Sequence, residues 1–420
     1  MKDKFYKIFF LFLVIIFLSD SSFAASSKNF QKEFTNYEEE NNNFLKDKNI
    51  RLFGFTHSDY RSFFNDYGDE VNNRFVNRRL RVISTGVFDK ISYRLMTESN
   101  QNSPTFFDAF IDYAITPEVN VRFGKFRSPL SLERWNLAND TMLIERGYTT
   151  QFAPGWDMGS YFWGLIANKR LEYNIGVTGG ARDFANPQHD FDDKKDFMLK
   201  LFSFPLRGNG EVFENLGVGF SYSVGERDGD LRKRQVSNYN TTSFTRIFSY
   251  CATCFADGIQ TRFLPQGYWY YKNFGLLSEY AINESEINNN AGLITQVNNN
   301  AWGVTASYML TGENFNFNQA VLPFNEFSLK DKGLGAFQVA ARVSGISFDE
   351  ASFANNISNI SNSVKSANSQ TIGVNWFPTK ELKLMLNYET TQFEGGGLSG
   401  ADRQDEHVIL SRLQIRFNWF

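Results

Sequence analysis

Arginine recurs wherever this chain could do chemistry. In Asn77-Arg78-Arg79-Leu80-Arg81-Val82, Arg79 and Arg81 alternate with Leu80 and Val82. Period 2 is the period of a strand, so guanidiniums take one face and aliphatics the other. The pattern returns in Arg94, Met96 and Glu98 against Ile91, Tyr93 and Leu95, and again at Arg122, with Lys125 and Arg127 just beyond. A guanidinium keeps its charge and offers a planar fork to phosphate or carboxylate oxygens. A wall of them gives an anion successive weak sites, which permits passage without trapping. Asp108 and Asp112 fall among these cations, and the same spacing serves mutually neutralising pairs that only hold the wall. The two uses differ in whether Arg79, Arg81 and Arg122 pair with Asp108, Asp112 or Glu98. Nothing else in the chain suggests turnover. His57, His189 and His407 are the only histidines, none in a motif that would activate a serine or hold a metal, and no cofactor is implied.

Such a wall needs a sheet that is wet on one side and greasy on the other. The end of the chain shows this directly: Leu413, Ile415, Phe417 and Trp419 share one face, and Arg412, Gln414, Arg416 and Asn418 the other. A soluble β-sandwich would alternate in the same way with its apolar face inward. The N-terminus bears on the choice. Lys2, Lys4 and Lys7 precede an unbroken apolar run at 8–18, and Ser22-Phe23-Ala24 supplies small residues for cleavage. That is a secretory signal peptide at 1–24. No later stretch approaches the roughly 18 apolar residues of a spanning helix, so an exported membrane protein of this composition is left with a closed barrel. A mean hydropathy of −0.37 fits strands that are half polar. Aromatics at 17%, clustered as in Tyr268-Trp269-Tyr270-Tyr271, suit girdles at the lipid interfaces.

The expected class is therefore all-β: a transmembrane antiparallel barrel. A polar periplasmic lead at 25–48 follows the signal peptide, and the barrel domain occupies 49–420. Strands are expected at 50–60, 74–87, 91–99, 106–115, 119–127, 161–168, 171–179, 196–204, 215–225, 259–264, 267–272, 274–282, 301–311, 334–348, 368–377, 381–393 and 406–419. At about 20–25 residues per strand and connection, an even count of sixteen is the natural total. The stretches 61–73 and 128–160 read as outer or inward-folded loops, and the Asn- and Ser-rich stretches 283–300 and 350–370 as exposed loops or hairpin tips. A net charge of −3 argues against a nucleic-acid partner. Cys251 and Cys254 form C-x-x-C in a polar stretch, which in an exported protein points to a local disulfide bracing an external loop.

Beyond the arginine ladder lie Gly124-Lys125-Phe126-Arg127-Ser128-Pro129-Leu130-Ser131-Leu132-Glu133, then Asn139-Asp140-Thr141-Met142-Leu143-Ile144-Glu145-Arg146, then Ala153-Pro154-Gly155-Trp156. At these residues, and at Gly335-Ala336-Phe337-Gln338 and Gly373-Val374-Asn375-Trp376, the chain resembles the phosphate-selective porin O and P family. The resemblance spans roughly 75–165 and 333–417. It implies a homotrimeric, sixteen-stranded channel in a Gram-negative outer membrane, in contact with its lipid, whose third external loop folds inward to narrow an Arg- and Lys-lined pore for phosphate-like small anions. On that frame Arg127 stands at the mouth of the folded loop, Arg134 and Arg146 reach the constriction, and Arg79, Arg81, Arg94, Arg122 and Lys125 line the wall. Trp156 departs from the family pattern, which often has a basic residue there. A general, weakly selective porin with structural lumen arginines is the alternative, and a plugged structural or adhesive barrel a further one.

Overall fold

The computed structural model describes residues 50–64, 73–99, 104–190, 192–210 and 212–418. The expected signal peptide, the lead at 25–48 and the terminal Trp419 and Phe420 lie outside these residues. In chain order the strands are β1 (Ile50–Phe63), β2 (Arg74–Phe88), β3 (Ile91–Ser99), β4 (Thr105–Thr116), β5 (Val119–Arg127), β6 (Trp156–Ile166), β7 (Leu171–Thr178), β8 (Asp196–Ser203), β9 (Asn215–Asp228), β10 (Tyr239–Asn240), β11 (Arg246–Phe248), β12 (Phe255–Tyr271), β13 (Phe274–Asn288), β14 (Ile294–Met309), β15 (Ala336–Ser347), β16 (Val364–Phe377), β17 (Leu382–Gly395) and β18 (Glu406–Asn418). All but β10 and β11 join one closed antiparallel barrel of sixteen strands, sealed where β1 pairs with β18 from Phe53↔Asn418 to Phe63↔Val408. β10 and β11 make a separate two-stranded ribbon inside the connection from β9 to β12.

The alternation expected from sequence sets the two surfaces. On β2 Leu80 is exposed while Arg79 and Arg81 are buried, and on β18 Leu413 and Ile415 are exposed while Arg412 and Gln414 are buried. The exposed aliphatics form the lipid face of a barrel and the buried polar groups its lumen. The aromatic cluster on β12 divides between the two: Tyr268 and Tyr270 turn inward onto Phe317 and Phe315, at 4.7 and 5.3 Å between ring centroids.

Several strands run further than their sequence suggests. The stretches 259–264 and 267–272 are one strand, β12, which continues through Pro265. Pro265 pairs with Phe220 of β9, and the ladder to β13 resumes only at Gln266↔Glu279, so the missing N–H falls at a gap in that ladder. The Asn-rich 283–300 is a hairpin tip and more: apart from the turn at 289–293 it supplies the end of β13 and the start of β14, because Asn283 and Asn299 face the lumen, where a barrel wants polar side chains. β16 likewise begins at Val364, inside the expected loop, and β6 begins at Trp156.

Turns at 89–90, 117–118 and 272–273 join strands at one end, the end that short turns mark as periplasmic. The long connections 128–155, 179–195 and 229–254 gather at the other. The longest connection on the short-turn side, 310–335, tucks Phe315 and Val321 into an apolar cluster with Leu132, Met142 and Leu143 of the 128–155 loop. The lumen is thus filled from both ends.

Candidate functional site

The 128–155 loop crosses the lumen because one wall satisfies its main chain. It holds a single turn of helix, α1 (Leu132–Trp135), capped by Ser131, and a 3-10 turn at Tyr148–Phe152. Carbonyls taken away from water need donors, and β15 to β18 supply them. Arg342 donates to Glu145 O at 2.8 Å, Asn375 to Met142 O at 2.8 Å, Lys383 to Thr141 O at 2.8 Å, Arg412 to Ile144 O at 2.6 Å and Arg416 to Asn139 O at 2.7 Å. On β13, Glu279 accepts from Ser131 Oγ and from the Glu133 amide, each at 3.1 Å. With that side pinned, the loop presents Arg134 and Arg146 towards β2.

The ladder on β2 to β5 is largely neutralised. Arg81 Nε donates to Glu98 at 2.6 Å, with Arg79 Nε 3.9 Å from the same carboxylate. Arg94 pairs with Asp108 at 2.8 Å, and Arg122 grips Asp112 through two nitrogens at 2.8 and 2.9 Å. Lys125 donates to Pro187 O at 2.5 Å. Trp156, in place of a basic residue, buries its ring and donates to Asp108 at 2.7 Å. On the opposite wall Arg262 bridges Asp183 and Asp196 at 2.8 and 3.1 Å, and Arg227 reaches Asp196 at 2.6 Å.

A second group of arginines is left with carbonyls in place of carboxylates. Arg127 donates to Trp135 O at 2.9 Å, Arg134 to Thr150 O at 2.5 Å, and Arg146 to Glu133 O and Asn136 O at 3.0 and 2.7 Å. Arg134 and Arg146 meet Arg78, Arg79 and Arg81 around a cavity of about 170 Å³ whose lining carboxylates are Glu98 and Glu145. The Nε atoms of Arg79 and Arg134 are buried there without a hydrogen-bond partner among the described residues. Burial, then the neighbouring Arg146, pulls the Arg134 guanidinium down to about 9, and burial followed by Arg81 pulls Arg146 down to about 10. Both are cationic at neutral pH, and an arriving anion would relieve their mutual repulsion. Burial alone would raise Glu145, but Arg78, Arg412 and Arg61 outweigh it and hold the carboxyl well below the usual range. Towards the short-turn end lies a smaller cavity of about 30 Å³ lined by Arg94, Arg122, Arg127, Trp135, Leu137 and Asn318, among others. There the Leu137 amide donates to Asn318 Oδ1 at 2.9 Å, joining the inward loop to the 310–335 segment. Below it a chamber of about 250 Å³ opens between Arg122, Trp135, Lys200 and Phe317.

The family model for phosphate-selective porin O and P matches residues 50–417. The chain belongs to this family. No curated protein matches the sequence. Among solved structures, the porin's fold is similar to that of the outer membrane channel DcaP of Acinetobacter baumannii (TM-score 0.55, 10% identity, covering 88% of this chain and 97% of that one). It is similar also to Salmonella typhi OmpF (0.54, 13%, 89% and 99%) and to an anion-selective porin from Comamonas acidovorans (0.52, 10%, 88% and 99%). Family and barrel together make the porin a channel of the Gram-negative outer membrane.

Against the expected pore residues, the porin brings Arg79, Arg81, Arg134 and Arg146 to one cavity, sets Arg94, Arg122 and Arg127 at the smaller one, and leaves Lys125 tied to the 179–195 connection. Arg78 was not among them. Parity would turn it outward, but a bulge opposite His57 and Ser58 skips it in the register, and it reaches Glu145 at 2.9 Å. Asp59 and Arg61, from β1, and Arg412, from β18 and 267 residues beyond Glu145, complete that knot, a neighbourhood no local pattern reveals. Phe184 and Phe244 on the cavity wall left no signal in a periodicity reading because both sit in loops. Cys251 and Cys254 are bonded, with sulfurs 2.07 Å apart, within the 229–254 connection. Arg234 donates to the carbonyls of both.

Proposed function

We propose that the porin passes small oxyanions, phosphate or carboxylate, by passive diffusion, with Arg79, Arg134 and Arg146 as the transient binding site. The observation that carries this is the cavity with five arginines and two carboxylates, in which the Nε atoms of Arg79 and Arg134 have no hydrogen-bond partner among the described residues. An anion arriving there exchanges part of its hydration for charge-assisted hydrogen bonds. Because Arg134 and Arg146 already donate to loop carbonyls, each new contact is weak enough to leave. The homotrimer implied by the resemblance belongs to the same proposal.

A second reading has its own support. The pairs Arg81–Glu98, Arg94–Asp108 and Arg122–Asp112 are what a general porin with structural lumen arginines would have. On our reading these pairs hold the wall and the loop arginines select. The test is the reversal potential of single channels in a potassium chloride gradient, followed by titration with phosphate. An anion-preferring pore whose preference falls in Arg134→Ala and Arg146→Ala, with phosphate block weakening in parallel, supports the first reading. Weak or cationic selectivity untouched by either substitution supports the second.

A further inference from the structure

Two of the cavity's aromatic residues stand in a backbone conformation that does not suit them. Phe184 has φ 61° and Phe244 φ 74°, in the left-handed region where a bulky side chain is an outlier and glycine or asparagine the ordinary occupant. The two come from different loops: Phe184 follows β7 and ties its amide to Ala153 O at 2.9 Å, and Phe244 lies at the tip between β10 and β11. Yet both rings line the cavity that holds the loop arginines. Each is laid against a guanidinium. Arg134 lies 4.8 Å from the Phe184 centroid, and Arg61 and Arg78 lie 4.6 and 4.9 Å from that of Phe244. Phe107 and Trp156 form the adjoining wall, edge to face at 4.4 Å, with Arg81 5.0 and 5.4 Å from their centroids.

A site meant for inorganic phosphate alone gains nothing from this. The ring face carries negative charge, so it repels a bare anion while attracting cations and other rings. Strained residues persist where the side chain they place is needed. We infer that the cavity favours aromatic carboxylates over inorganic phosphate, the carboxylate meeting Arg79, Arg134 and Arg146 and the ring meeting Phe107, Trp156, Phe184 and Phe244. An apolar cavity of about 150 Å³ accommodates benzene, so about 170 Å³ suits a one-ring acid. This inference rests on the anion-channel reading and names its substrate class.

The experiment uses the full porin in planar bilayers, with potassium chloride current titrated by benzoate, acetate and phosphate, and calorimetric titration of the same three salts into detergent-purified protein as a second readout. Benzoate is expected to half-block, and to bind, at roughly tenfold lower concentration than acetate or phosphate. Phe184→Gly and Phe244→Gly relieve the backbone while removing the rings, so each is expected to hold or raise the unfolding temperature while the benzoate advantage collapses. Benzoate acting no better than acetate, in a pore whose reversal potential is anion-preferring, overturns the aromatic class and spares the channel reading. A cation-preferring reversal potential overturns both. Glycine variants that lose stability but keep the benzoate advantage also overturn the inference, since the rings would then be packing alone.

Discussion

Replacing Glu145 by glutamine removes one negative charge from the point where three arginines converge, and almost no volume. Its Oε1 accepts from Arg78 Nε at 2.9 Å, Arg412 at 2.9 Å and Arg61 at 3.2 Å. Glutamine keeps an acceptor in that place, so the loss is Coulombic. Arg412 and Arg61 retain Asp59, at 2.7 and 3.4 Å, leaving Arg78 without a carboxylate. Breaking one side of a buried pair costs about 3–5 kcal/mol, and with two of the three arginines still compensated the lower end, about 3 kcal/mol, applies. For a barrel of this size that is a fall of about 4 °C in the unfolding midpoint. The pH dependence gives the sharper check. The folded carboxyl lies well below its ordinary value, so its stabilisation is present above the unfolded pKa of about 4.3 and is lost as pH falls through the depressed folded value. Thermal melts of wild type and Glu145→Gln in detergent, followed by tryptophan fluorescence, should differ at pH 7 and at pH 5 and converge in stronger acid. A gap that persists unchanged at pH 2, or no gap at pH 7, would refute the electrostatic account of how the loop is held.

Two further outcomes follow from the same geometry. Arg262→Ala strips Asp183 of its arginine while Asp196 keeps Arg227; a loss of about 3–5 kcal/mol is expected, and part of it should return in the double variant with Asp183→Ala, measured as a double-mutant cycle by denaturant unfolding. Replacing 314–320 by a short Gly-Ser turn removes Asn318 from the smaller cavity and Phe315 and Phe317 from Tyr270 and Tyr268; single-channel conductance should rise severalfold, and an unchanged conductance would mean that the 128–155 loop alone sets the narrowest point.

The barrel was legible because lipid and water impose opposite demands on alternate residues, so Leu80 and Arg79 each announce their face. Strand count and the inward faces of Arg79, Arg81, Arg94 and Arg122 followed from that. Extent was less legible: Asn283 and Asn299 look like loop residues until the lumen is recognised as their solvent, and Pro265 looks like a strand break until its neighbours show that no hydrogen bond is lost there. The site was half visible. The arginines could be named, but which of them keep spare charge depends on partners such as Asp59, Glu145 and Arg412 that meet only after closure. Arg78 was hidden by a single bulge.

The pairing of β1 with β18 has a consequence for how the molecule is made. His57 meets Gln414 at 2.8 Å, and Asp59 meets Arg412 at 2.7 Å, contacts bridging a separation of 357 and 353 residues. Closing so long a span is entropically slow, and until β18 arrives β1 exposes an unpaired edge open to adhesion by any other strand. Biogenesis therefore has to shelter the edge of the first strand for as long as the seam stays open. Because Arg412 also carries part of the Glu145 knot, the inward loop gains its full anchorage only when that final strand docks: an unfinished barrel is a wider and less discriminating one.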